Sequence, residues 1–288
     1  MFARAWIGAV IAATCGCDTV FGLERAAPPD APLDGPPDAH LVGVATLVDP
    51  PEIGGPVVID EVWPVRTMVH GTAGEYVPFS FTATAGTFAA APTEVLIGAG
   101  GVTEVVADFT APSTRRVVMV IATSAPLSAT KAVPVLGLTQ LGPTIGGPGT
   151  ATFQAGSMFG IRITLQDPGY LRRLGLVSKS TCMAKLALYR DTSPPTKVTE
   201  IGPVALTGSD TVPAINSFAI TPALGVPLAS GNFWLVAVAD APLTVPQQVT
   251  TGAEFMNLAF PYAMALPAQL SFTPATDQEY AMFVVVAN

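Results

Sequence analysis

Tyr76-Val77-Pro78-Phe79-Ser80-Phe81-Thr82-Ala83-Thr84 alternates apolar and polar side chains at a period of two. Val77, Phe79, Phe81 and Ala83 would face one side of a strand, and Pro78, Ser80, Thr82 and Thr84 the other. A helix would need a period near 3.6, so the run predicts a half-buried β-strand. Similar runs lie on both sides of it, at Val42–Val48, Val57–Trp63, Glu94–Ile97, Val102–Phe109 and Arg116–Thr123. Gly98-Ala99-Gly100-Gly101 and Ala111-Pro112-Ser113 supply turns between them. Short strands punctuated in this way predict a β-sandwich over residues 41–136.

The rest of the chain continues the pattern. In Gly160–Gln166, Ile161, Ile163 and Leu165 alternate with Arg162, Thr164 and Gln166. Further strands are predicted at Arg173–Val177, Ala184–Tyr189, Val198–Leu206, Asn216–Ile220, Asn232–Ala239, Gln269–Thr273 and Tyr280–Ala287. Asp167-Pro168-Gly169 and Ser193-Pro194-Pro195 suit turns. The expectation is an all-β chain with a second, jelly-roll-like sandwich over residues 150–288. The Gly- and Pro-rich stretch 137–149 is predicted to be a hinge. An outer-membrane barrel is the rival all-β architecture, and Pro78, Pro134 and Pro203 within strand-like runs count against it.

Phe79-Ser80-Phe81-Thr82-Ala83-Thr84-Ala85-Gly86-Thr87-Phe88, followed by Phe109-Thr110-Ala111-Pro112, resembles bacterial immunoglobulin-like domains of the invasin and intimin type. The resemblance implies an Ig-like sandwich acting as a spacer or adhesive module, and the strand spacing suits that fold. Ala184-Lys185-Leu186-Ala187-Leu188-Tyr189-Arg190-Asp191, with Ser230-Gly231-Asn232-Phe233-Trp234-Leu235 later, resembles C-terminal sandwich domains of predicted lipoproteins of predatory and soil bacteria. That likeness implies an architecture and an address rather than an activity.

The first residues point to the same address. Arg4 precedes an apolar core from Ala5 to Ala13, and Thr14-Cys15-Gly16-Cys17 follows, the layout of a secretory signal peptide. The core is well short of the roughly 20 apolar residues that span a bilayer as a helix. Gly16-Cys17 resembles the lipidation box of bacterial lipoproteins, which implies a signal at residues 1–16 and acylation of Cys17. Thr14 departs from the apolar residue usual in the box. Cys15 is the competing cysteine, but Thr14 suits the peptidase less well than Gly16. An ordinary secretory signal with an incidental cysteine is the alternative. Asp18 resembles the inner-membrane retention signal of enteric bacteria, a rule that does not carry across bacterial groups. The expected address is the bacterial cell envelope, at the outer rather than the inner membrane.

Residues 17–40 read as a tether. Glu24 to His40 is rich in Pro and Asp and too poor in apolar residues to fold. With Cys15 removed and Cys17 acylated, Cys182 has no disulfide partner and reads as a core residue.

Hydrophobic residues make up 50% of the 288 and charged residues 12%. Mean hydropathy is +0.50. No segment after the signal runs long enough without Pro, Gly or polar residues to be a spanning helix, so apolar strands account for the value. The net charge of −8 is concentrated early, with eight acids from Asp18 to Asp60 against Arg25 alone. No basic stripe is present, which argues against nucleic acid as a partner. Within the second sandwich, Arg162, Arg172, Arg173, Lys179, Lys185, Arg190 and Lys197 cluster early, and only acids follow Lys197. These bases would either form a positive face or pair with the later acids; pairing is expected.

Catalytic signatures are missing. Two histidines, His40 and His70, do not make a zinc site, and no cofactor motif is present. Gly156-Ser157-Met158-Phe159-Gly160 has the wrong spacing for a nucleophile elbow. Glu104 with Asp108, or Asp277 with Glu279, are the only candidate acid–base pairs, and exposed loop carboxylates are the expected state of the latter. Candidate ligand contacts are Tyr170 and Tyr262 beside turn residues, Trp234, and the basic pair Arg172 and Arg173. Trp234 shares a strand face with Val236 and Val238, so burial is expected for it. The chain thus reads as a lipid-anchored, non-catalytic envelope protein for adhesion, ligand binding or display. Its expected partners are the membrane and a polysaccharide or another envelope protein. A cell-wall or polysaccharide-processing enzyme and a structural subunit of an envelope complex are the alternatives.

Overall fold

The computed structural model describes residues 42–145, 147–221 and 225–288. The expected signal, Cys17 and the acidic tether lie outside the described residues. Every regular element among the described residues is a β-strand, as the alternation predicts.

The first ten strands are β1 (Leu47–Val48), β2 (Val57–Val58), β3 (Val62–His70), β4 (Tyr76–Pro78), β5 (Ser80–Ala83), β6 (Thr87–Ala89), β7 (Glu94–Leu96), β8 (Val102–Thr110), β9 (Arg116–Ser124) and β10 (Leu127–Leu136). They form one sheet in the order β1-β3-β8-β6, a second in the order β2-β10-β9-β5, and the pair β4-β7. Their inward residues share a core that includes Val65, Val69, Phe81, Val105, Phe109, Val118, Val120 and Val133. Thr67 is buried among them, and its hydroxyl donates to the Asp49 carbonyl at 2.5 Å, which removes the cost of burying it.

Three predicted strands are cut differently. Tyr76–Thr84 keeps its alternation, with Val77, Phe79 and Phe81 buried. It breaks at Phe79, however, so that β4 pairs with β7 and β5 with β9. Val57–Trp63 is divided by a turn in which Asp60 takes a φ of 58°, a left-handed conformation that aspartate tolerates. Of Val42–Val48 only Leu47–Val48 is a strand. His70 ends β3 and lies 3.3 Å from the Asp49 carboxylate.

Six further strands follow: β11 (Leu138–Leu141), β12 (Gly149–Phe153), β13 (Ser157–Leu165), β14 (Gly169–Ser178), β15 (Cys182–Arg190) and β16 (Thr196–Leu206). Then come β17 (Ala214–Ala219), β18 (Val226–Leu228), β19 (Gly231–Ala239), β20 (Leu243–Gln248), β21 (Glu254–Ala259), β22 (Ala275–Thr276), β23 (Glu279–Tyr280) and β24 (Met282–Ala287). A sheet ordered β11-β24-β14-β17, with β18 beside β14, and a second ordered β16-β15-β19-β13-β21-β22 contribute to one core, as does the small sheet β12-β20-β23. Gln269–Thr273, predicted as a strand, instead runs as irregular chain with a single bridge from Gln269 to Thr196.

Part of the stretch expected to hinge the two cores is hydrogen-bonded to neighbouring strands. Leu138–Leu141 forms β11 against β24, and Gly149 opens β12 against β20. Gly137 between β10 and β11 exchanges two backbone hydrogen bonds with Asn288, each 3.0 Å. A glycine-rich composition does not prevent strand pairing when a partner edge, here β24, is available.

Candidate functional site

β19 reads Gly-Asn-Phe-Trp-Leu-Val-Ala-Val-Ala, apolar nearly throughout. Such a run is the mark of a strand covered on both faces. Phe233, Leu235, Ala237 and Ala239 enter the core between the sheets, while Trp234, Val236 and Val238 point to the opposite face. That outer face has a core of its own, with Met158, Ala187, Tyr189, Met256, Leu266 and Leu270. Phe233 and Trp234 therefore point in opposite directions, yet each is only 2% exposed. The burial expected of Trp234 is found.

The cover is a strap, residues 260–274. Lacking a ladder of its own, it has carbonyl groups that need donors. Lys185 Nζ donates to the carbonyls of Tyr262 (2.6 Å) and Met264 (2.9 Å), Lys197 Nζ to Leu266 (2.8 Å), and the Tyr189 hydroxyl to Pro267 (2.8 Å). Burial raises the pKa of the Tyr189 phenol, and the negative charge of Glu200 adds to the effect. Lys197 and Leu270 add backbone hydrogen bonds to Ala268 and Pro195. The lysines thus serve as fasteners of the strap.

Between the end of the strap and the β15–β16 turn lies a cleft of about 480 Å³. Small-ligand sites commonly run from about 300 to 1,000 Å³. Asp191, Ser193 and Pro194 of the turn, Trp234 of β19, and Ser271 and Phe272 of the strap line it. The Phe272 ring meets Trp234 edge-on, with centroids 4.8 Å apart at 84°. Trp234 Nε1 donates to Asp191 Oδ1 at 3.0 Å, and Arg162 Nη2 lies 2.6 Å from Asp191 Oδ2. Arg162 Nη1 also donates to Glu254 Oε2. Burial opposes the charge of Arg162, but hydrogen bonds to Glu254 and Asp191 outweigh it, and its pKa lies above the ordinary value. The indole and guanidinium fix the Asp191 carboxylate at the cleft wall. The hydroxyls of Ser193 and Ser271 have no hydrogen-bond partner among the described residues.

The residues singled out from sequence are dispersed. Trp234 and Tyr262 both belong to the outer-face cluster. Tyr262 is half-buried, not free beside its turn; its ring lies 4.7 Å from Lys185 Nζ, and burial raises its phenol pKa. Tyr170 sits in β14 of the other large sheet, paired with Pro227 and Ala287. Arg172 falls at a register shift of β14 against β24 and binds both Glu61 oxygens, at 2.6 and 2.8 Å. Arg173 is exposed and donates to the Ser217 hydroxyl and carbonyl. The early bases do pair with later acids at Arg162–Glu254 and Lys197–Glu200. Asp191 and Phe272, which line the cleft, are not among the candidate ligand contacts read from the sequence; Asp191 adjoins the Ser-Pro-Pro turn, and Phe272 falls in a segment predicted as a strand.

The candidate acid–base carboxylates have structural contacts. Asp277 Oδ1 accepts the Gly252 N–H at 2.9 Å, and Glu279 Oε2 accepts from Gln248 (2.7 Å) and Thr250 (3.1 Å). Glu104 lies 3.4 Å from Arg66. The chain matches no protein-family model, and no curated protein matches it.

Proposed function

We propose that this chain is a lipid-anchored envelope protein that binds or displays a ligand without transforming it. The observation that carries the binding reading is the surface cleft at Asp191, where a carboxylate is held ready beside an aromatic wall and two free hydroxyls. Acylation at Cys17 and the acidic tether supply the address, and the Ig-like resemblance of residues 41–136 supplies a spacer that carries the cleft away from the membrane. An enzyme built on Asp277 and Glu279 would need those carboxylates free for proton transfer; each instead holds a neighbouring loop. Metabolic labelling with an alkynyl fatty acid tests the address. Label should enter the wild-type chain and be lost in Cys17→Ser, with the variant released from the membrane fraction. Label retained in Cys17→Ser would overturn this assignment.

A further inference from the structure

The cleft between the strap and the β15–β16 turn has a chemistry that selects among ligands. Its apolar lining includes the half-buried Phe272 and the exposed Pro194, and Ser193, Ser271 and the Asp191 carboxylate line the same cleft. A sugar ring presents that complement: an apolar C–H face and a belt of hydroxyls. An ionised carboxylate offers about four acceptor sites. Trp234 Nε1 and Arg162 take one on each oxygen of Asp191, which leaves an acceptor on each for a pair of neighbouring hydroxyls. The serine hydroxyls, unengaged, can donate or accept. Charge narrows the class further. Asp191 and Glu254 share the single cation Arg162, so the network keeps one negative charge and repels anionic sugars. Because the indole and guanidinium already hold Asp191, little ordering is needed on binding.

We infer that this cleft is the binding site for a neutral saccharide chain. The inference rests on the reading of the protein as a binding module and names its ligand class and residues. Neither Asp191 nor Phe272 belongs to the acid–base pairs considered above, and the site lies on the strap side of the six-stranded sheet.

The test uses the full chain in detergent micelles, titrated with chitotetraose, cellotetraose and maltotetraose by calorimetry and by tryptophan fluorescence. At least one should bind and perturb Trp234 emission, read in a background in which the other two tryptophans are replaced, Trp6→Phe and Trp63→Phe. Phe272→Ala and Asp191→Asn should each weaken that binding about tenfold, equivalent to 1.4 kcal/mol. Ser271→Trp changes an exposed residue, should leave the melting temperature in place, and should abolish binding by filling the cleft. No binding of any of the three sugars by the wild-type chain overturns the inference. So does binding unaffected by Ser271→Trp, an outcome that leaves the module reading standing with its site elsewhere. Cleavage of a bound sugar that Ser271→Trp blocks would support the site and overturn only the non-catalytic reading.

Discussion

Lys185 holds Tyr262 twice over: its Nζ donates to the Tyr262 carbonyl at 2.6 Å and lies 4.7 Å from the centroid of the same residue's ring. The second hydrogen bond, to Met264 at 2.9 Å, draws the next turn of the strap onto the sheet. Lys185→Met keeps the apolar stem and removes the charged donors. Charge-assisted hydrogen bonds contribute about 1.5–3 kcal/mol each, and partial exposure reduces the sum, so a loss of about 2–3 kcal/mol is expected in urea unfolding. Tryptophan emission should shift to the red as the cover over Trp234 loosens. A loss below about 0.5 kcal/mol with unchanged emission would show that the strap is held by its apolar contacts alone.

Arg172, in β14, and Glu61, in the connection between β2 and β3, join segments that belong to different cores. The Arg172 side chain is only 13% exposed, so removal of its partner would leave a largely buried cation. Glu61 is 37% exposed, which moderates the effect through solvent screening. Glu61→Gln should cost about 1–3 kcal/mol, and adding Arg172→Met should cost less than the sum of the two single changes. A double-mutant cycle reads the coupling directly. Strict additivity would mean that the two side chains do not act as a pair.

What could be read from the sequence followed the strength of local patterning. β8 and β9 were legible because alternation runs through them, one face apolar and the other polar, with turn residues outside. β10 (Leu127–Leu136) was less so, since Lys131 interrupts the apolar side formed by Leu127, Ala129, Val133 and Val135. Its backbone nonetheless pairs with β9 along its length. The break at Phe79 was invisible for another reason: alternation continues across it, and only the long-range partners β7 and β9 divide the run. Burial of Trp234 could be inferred from its strand face. The cleft could not, because Asp191 and Phe272 are distant in sequence and are brought together by tertiary folding of a segment without regular structure.

Gly175 in β14 tests how tightly that strand packs against its neighbours β17 and β24 in the same sheet. A Cβ there would lie 2.6 Å from the Asn216 carbonyl and closer still to the Phe283 ring. Neither neighbour has room to yield. Asn216 is fixed by hydrogen bonds from its side chain to the Thr207 and Ala214 carbonyls, 3.0 Å each, and Phe283 is 2% exposed. Gly175→Ala should therefore destabilise by about 1–3 kcal/mol, the usual cost of overpacking, visible as a lowered melting temperature. Gly100→Ala, with open space around it and no positive φ, is the control and should melt with the wild type. Equal melting of both variants would contradict the packing described for β14.

Alkali should unfold the protein through two residues, one at the edge of the main core and one within it. Burial pushes the Cys182 thiol from 9.0 to about 11, with a contribution from Asp240, and burial alone pushes the Tyr280 phenol from 10.0 to about 12. In both cases the folded state keeps a proton that the unfolded chain releases. The stabilisation is therefore complete below the unfolded pKa and is lost as pH rises through the folded one. For Cys182 the window runs from pH 9 to about 11, and for Tyr280 from pH 10 to about 12. Urea midpoints should fall across these ranges, and Tyr280→Phe should flatten the upper part of the decline. At neutral pH the native Cys182 should react with a thiol reagent far more slowly than the urea-unfolded chain, because the thiolate is the nucleophile. Rapid native labelling, or a midpoint constant from pH 9 to 12, would contradict the protonation states assigned to these two side chains.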